Sequence, residues 1–102
     1  MFKDLDPLLH SQLRLAIMSL LVSVKSANFN YLLEKTGATK GNLSTQITKL
    51  KNAGYIQVDK HFKNNMPETT CNATQKGIKA FEKYVNAISS YFPDSQNKNQ
   101  NT

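Results

Sequence analysis

The segment from Gly37 to Gly54 constrains this chain more than any other. Between those glycines, Leu43, Ile47 and Leu50 fall at i, i+4 and i+7. That spacing makes a narrow apolar stripe along a helix, enough to hold it on a core while leaving most of its surface free. Thr39 offers a side-chain oxygen where the first N–H groups lack partners, and Gly54 suits a helix stop. The pattern predicts a helix over 39–53. Its outward surface carries Gly41, Thr45, Thr48, Lys49 and Asn52, with Asn42 and Ser44 at the flanks. That surface is small, polar and positive, and it holds no acid.

The flanking segments give this helix its neighbours. Asp6-Pro7 reads as an N-cap followed by proline at a first helical position. Ser11 can cap again, opening a helix over 11–24 whose Leu13, Ala16, Ile17, Leu20, Leu21 and Val24 keep the 3-4 spacing of a buried face. Lys25-Ser26-Ala27-Asn28 is a polar break. A short helix over 30–35 follows, with Phe29, Leu32 and Leu33 turned inward, and Thr36-Gly37 ends it. Beyond Gly54, 55–60 alternates as a strand, 61–67 reads as a turn through Asn64-Asn65 and Pro67, and 68–73 is a threonine-rich second strand. Thr74 then caps a helix over 75–92. The tail 93–102 is polar and of low complexity, and is expected to be disordered. Residues 1–92 thus form one domain.

Charge concentrates in the same middle stretch. The chain of 102 residues carries a formal net charge of +6, with a pI near 9.6. Before Lys35, the cations Lys3, Arg14 and Lys25 are balanced by Asp4, Asp6 and Glu34. From Lys35 to Lys63, six lysines (Lys35, Lys40, Lys49, Lys51, Lys60 and Lys63) face a single acid, Asp59. Such a balance favours a polyanionic partner. The longest apolar run is broken by Arg14 and Ser19, so no membrane span is expected. The first residues lack a signal-peptide layout, and the single cysteine excludes an internal disulfide. Both point to the cytoplasm.

A short helix joined through a glycine-bearing turn to a second helix is a helix-turn-helix, and the second helix fits the major groove of duplex DNA. Asn42 can pair with adenine through both amide atoms, and Ser44, Thr45 and Thr48 can meet base edges or phosphates. Lys40 and Lys49 stand where phosphate contacts would help fix register, and Thr39 and Gly41 complete the expected DNA-binding set on this helix. A wing over about 55–73 adds Lys60, His61 and Lys63. Three other residues invite functional readings that the pattern does not support. Cys71 alternates as a buried strand residue rather than an exposed redox sensor. His10 and His61 have no ligand-spaced companions for a metal. No nucleophile set, phosphate loop or carboxylate pair suggests an enzyme, and no cofactor is implied.

Two runs of the sequence, 40–50 from Lys40-Gly41-Asn42 to Lys49-Leu50 and then Ala53-Gly54-Tyr55-Ile56, resemble the recognition helix and exit of MarR/ArsR-like winged-helix regulators. Leu5-Asp6-Pro7-Leu8-Leu9-His10-Ser11, then Arg14-Leu15-Ala16-Ile17, is similar to the start of a subgroup of short, stand-alone dimeric winged-helix proteins. Pro67, Thr69 and Thr74-x-x-Gly77 resemble that subgroup's wing exit. The resemblance covers about 2–92. It implies a mainly α winged helix-turn-helix fold with a β-hairpin wing, binding to double-stranded DNA, and a homodimer held by helices at both termini. The wing tip departs from the subgroup's arginine-rich pattern, reading Phe62-Lys63-Asn64-Asn65-Met66-Pro67-Glu68. That weakens the wing's expected share of the affinity.

The last helix carries two apolar stripes side by side: Ile78, Phe81, Val85, Ile88 and Phe92, and Gly77, Ala80, Tyr84, Ala87 and Tyr91. One stripe suffices to pack on the helix's own domain, so the double width suggests a partner copy. Leu8, Leu9, Tyr84, Ala87, Ile88 and Tyr91 are the expected interface. Two alternatives use the same scaffold: a winged helix that binds protein, and a sensor with a small-molecule effector lodged between subunits. A protein-binding version calls for an apolar patch on the 39–53 helix, which is absent.

Overall fold

The computed structural model describes residues 1–92, so the disorder expected for 93–102 lies outside the described residues. Four helices and three strands follow in the order α1 (Gln12–Val24), β1 (Ser26–Asn28), α2 (Phe29–Thr36), α3 (Lys40–Asn52), β2 (Ile56–Lys63), β3 (Met66–Ala73) and α4 (Gln75–Ser89). The sheet is antiparallel with strand order β1-β3-β2.

Asp6 opens a single turn ahead of α1. Its carboxylate accepts from the Leu8 N–H at 2.9 Å, and its carbonyl accepts from the His10 N–H at 2.9 Å. Ser11 stands at the N-cap of α1 in extended conformation but makes no side-chain cap bond. The buried residues of α1 are Ile17, Met18 and Leu21, while Val24 is exposed. The inward face is therefore turned slightly from the expected stripe, taking in Met18 and leaving Val24 in water. Lys25, at φ 71°, reverses the chain and donates to the Leu21 carbonyl. The next three residues, expected as a plain break, form β1, with Ala27 paired to Cys71.

Asn28 caps α2, its Oδ1 accepting from the Tyr31 N–H at 2.7 Å. Gly37, at φ 67°, takes the left-handed position that ends α2. Leu43, Ile47 and Leu50 of α3 are all buried, alongside Leu9, Ile17, Met18, Leu21, Leu32 and Cys71. Each such leucine or isoleucine contributes roughly 1.5–3 kcal/mol by leaving water.

The hairpin is longer and its turn tighter than the sequence suggests. Asn64 and Asn65 both take positive φ, 54° and 63°, so two residues reverse the chain and Lys63 pairs with Met66. A two-residue loop of this kind matches strand twist, and asparagine tolerates the left-handed region. Pro67 lies inside β3 opposite Phe62, at a non-hydrogen-bonded pair where its missing N–H costs the ladder nothing.

The junction of hairpin and α4 is the tightest packing in the fold. Thr74 accepts from the Gly77 N–H at 3.0 Å and donates to the Gly54 carbonyl at 2.6 Å. Gly77 sits so close to β2 that a Cβ there would fall 2.1 Å from the Tyr55 carbonyl oxygen. Tyr55 in turn donates to Asp6 at 2.5 Å. Burial, then this carboxylate, pushes its hydroxyl up from 10.0 to about 12. The stability from that neutral phenol is intact below pH 10 and is lost as pH rises through about 12.

Candidate nucleic-acid interface

The outward face of α3 is built from its N-terminus. Thr39 Oγ1 accepts from the Asn42 N–H at 3.2 Å and satisfies one of the free donors of the first turn. Thr39, Lys40, Gly41, Asn42, Ser44, Thr45, Thr48 and Lys49 are all exposed; Gly41, Thr45 and Thr48 lie opposite Leu43, Ile47 and Leu50, Asn42, Ser44 and Lys49 lie at the flanks, and Thr39 and Lys40 lie at the N-terminal end. The structure thus brings these eight expected residues together on one surface. Thr45 Oγ1 donates to the Gly41 carbonyl at 2.9 Å, and Thr48 Oγ1 donates to the Ser44 carbonyl at 3.0 Å. With their protons engaged, the two threonines turn methyl groups and acceptor lone pairs outward. A Cβ on Gly41 would meet nothing within 4 Å, so the protein itself does not require glycine there.

Two residues absent from the expected set shape this face. Gln46 donates from Nε2 to Asn42 Oδ1 at 3.0 Å. Arg14, reaching across from α1, donates from Nη1 to Gln46 Oε1 at 2.5 Å and from Nε to the Leu8 carbonyl at 2.6 Å. Arg14 and Gln46 are both half-buried. No spacing rule joins positions 32 apart in sequence.

The wing contributes differently from expectation. Lys60 and Lys63 are exposed, but alternation along β2 puts them on opposite faces. His61 is not free to meet phosphate. Its Nδ1 lies 3.0 Å from Asp59 Oδ2 and its Nε2 lies 2.9 Å from Glu68 Oε1, so both ring nitrogens face carboxylates. The cross-strand pairing of His61 with Glu68 creates this arrangement, and linear reading of the chain conceals it. At the tip, Phe62 and Met66 are exposed apolar side chains.

On the other side of the molecule, the expected interface residues divide. Leu9, Tyr84 and Ala87 are 0%, 5% and 3% exposed within one chain, so they belong to its own core. The Tyr84 hydroxyl also meets His10 Nδ1 at 2.9 Å. Tyr91 stacks on Phe2 with ring centroids 4.8 Å apart and donates to the Lys3 carbonyl. Leu8 and Ile88 are half-buried. Along the neighbouring stripe of α4, Ile78 is half-buried, Phe81 and Ile88 pack partly against the core, and Val85 is 47% exposed. Leu9, Tyr84 and Ala87 drop out of the expected set because two parallel stripes on one helix do not reveal from sequence which one its own core covers.

Cys71 is fully buried, and burial raises its thiol to about 11. Among the described residues, no group of three or more His, Cys, Asp and Glu is placed to hold a metal ion. No helix among them is long and apolar enough to cross a membrane.

A family model for a winged helix DNA-binding domain matches residues 13–92. The uncharacterized protein MJ0432 of Methanocaldococcus jannaschii is 34% identical over 79 residues, covering 78% of this chain and 86% of that protein. Among solved structures, a transcriptional regulator homologue from Pyrococcus horikoshii OT3 superposes with a TM-score of 0.80 at 23% identity, over 85% of this chain and 86% of its own. NMB1585, a MarR family regulator from Neisseria meningitidis, does so with a TM-score of 0.56 at 15% identity, over 86% and 66%.

Proposed function

The chain belongs to the winged helix DNA-binding domain family, and we propose that it is a regulator of transcription that works as a homodimer in the cytoplasm, laying one α3 into the major groove at each of two half-sites. The observation that carries this reading is the outward face of α3, where eight exposed small, polar or basic residues stand together without an acid. Phosphates line both walls of the groove, and an acid on this face would be repelled by them. Asn42, Ser44, Thr45 and Thr48 read base edges, while Thr39, Lys40 and Lys49 hold the backbone. Gly41 lets the backbone of α3 approach closely where a side chain would stand in the way. Lys60 and Lys63 add phosphate contacts from the wing.

A dimer supports the same reading from the other side. The outward stripe of α4 offers apolar side chains that one chain leaves partly in water, and two-fold symmetry matches paired half-sites about 34–36 Å apart. The protein acts by occupying DNA rather than by catalysis. Gel-shift titration against the DNA upstream of its own gene, repeated across salt concentrations, tests the proposal. Binding should weaken with a log–log slope of about −0.9 per phosphate neutralised. Failure to bind any duplex at low salt would overturn it.

A further inference from the structure

We propose that Arg14 and Gln46 fix the orientation of the Asn42 side chain so that it reads DNA with its N–H2 group and selects guanine over adenine at the base it meets. This rests on the placement of α3 in the major groove proposed above. The argument runs on hydrogen-bond polarity. A guanidinium has donors and no acceptor. The atom of Gln46 lying 2.5 Å from Arg14 Nη1 is therefore its carbonyl oxygen. That leaves Gln46 Nε2 as the atom facing Asn42 at 3.0 Å, and a donor there demands the Asn42 carbonyl opposite it. The reverse orientation of Asn42 would set one N–H2 against another. Arg14 is itself fixed, because its Nε donates to the Leu8 carbonyl at 2.6 Å. One cation on α1 thus sets, through two amides, which end of Asn42 points out of the protein.

The consequence is a change of base. Adenine offers an acceptor and a donor in the major groove, so asparagine pairs with it through both amide atoms. Guanine offers two acceptors, N7 and O6, which match two N–H donors from a single N–H2 group. With its carbonyl turned toward Gln46, Asn42 matches guanine. The adenine contact expected from the residue type alone is replaced.

Selection from randomised duplexes, with Asn42→Ala used to locate the dependent base pair, tests this. The wild type should prefer guanine over adenine there by about tenfold, within the range of a good two-bond base contact. Gln46→Ala releases the amide and should narrow that ratio to about twofold. Gln46→Glu is the sharper variant. A carboxylate accepts from both Arg14 and Asn42, so Asn42 must turn its N–H2 inward and its carbonyl outward. Preference should then shift from guanine to a base that offers a donor, adenine or cytosine. A merely structural role for Gln46 would weaken binding without reversing the order of bases. The inference is overturned if the wild type prefers adenine at that pair, or if both variants keep the wild-type ratio. In those cases the wild type still binds a preferred duplex and the proposed function stands. A wild type that binds no duplex removes both.

Discussion

Helices α3 and α4 solve the same packing problem and leave opposite remainders. Each buries one stripe in the shared core: Leu43, Ile47 and Leu50 on α3, and Gly77, Tyr84 and Ala87 on α4. What each leaves outside differs in kind. The free face of α3 carries small hydroxyls, amides and lysines, whereas α4 exposes Val85 beside Lys79, Glu82, Lys83 and Asn86 and leaves Ile78, Phe81 and Ile88 only half-buried. Neither composition is forced by the fold, since any solvated helix face would serve to keep the domain folded. The difference fits one surface to a polar, anionic partner and leaves the other with a partly covered apolar edge. The attachments differ too. α3 buries Leu43, Ile47 and Leu50 in the core, whereas α4 comes within backbone contact of Tyr55 through Gly77.

That contrast can be broken most severely at the attachment of α4. Gly77→Ala would drive a methyl into the Tyr55 carbonyl and push the helix off the sheet. It should cost about 3 kcal/mol or more of folding stability, read from chemical denaturation. An unchanged denaturation midpoint would mean that the close approach is not maintained in solution.

The free face of α4 comes next. Val85→Asp places a charge at the centre of the outward stripe, and in an enclosed interface an unpaired charge costs about 3–5 kcal/mol. Analytical ultracentrifugation should show dimer for the wild type at micromolar concentration and folded monomer for the variant. A monomeric wild type would leave the apolar face without its expected partner.

On α3 the effects are smaller and fall on binding. Thr45→Ala should change the preferred DNA sequence by about 1–3 kcal/mol, whereas Lys63→Ala should weaken all sequences alike and reduce the salt slope by about 1. Competition binding on selected and random duplexes separates the two. Reversed roles would show that helix and wing have been assigned the wrong jobs.

The smallest change is the most discriminating. Gly41→Ala meets no obstacle in the protein and improves helix propensity, so it should stabilise the fold by about 0.5–1 kcal/mol. The same methyl should weaken DNA binding. A variant that is more stable and binds as well as the wild type would remove the close-approach role of this glycine.

Most of the framework was legible because it is local. The Leu43–Ile47–Leu50 spacing, the Thr39 and Thr74 caps and the Gly37 stop each depend on residues within one or two helical turns. The exposed face of α3 followed from that stripe. What escaped depends on residues brought together from afar. β1 is three residues long, too short for any alternation to announce it, and exists because Ala27 finds Cys71. His61 reads as a basic wing residue until strand pairing sets Glu68 beside it. The Arg14–Gln46–Asn42 connection has the same character, since it joins helices whose crossing no periodicity encodes. The hairpin turn escapes for a nearer reason: 61–67 reads as one long turn, whereas the left-handed Asn64 and Asn65 compress it to two residues.

The burial of Cys71 gives the protein a built-in clock. It is the chain's one thiol, it lies on β3 between β1 and β2 at the centre of the sheet, and none of its surface is accessible. A thiol reagent can reach it only when the sheet parts from the helices above, so the rate of labelling counts those openings. Fraying at the chain ends or motion of the wing tip leaves the count untouched. Comparing the labelling rate with and without duplex DNA would then read how far occupancy of the α3 face steadies a core that the DNA never touches.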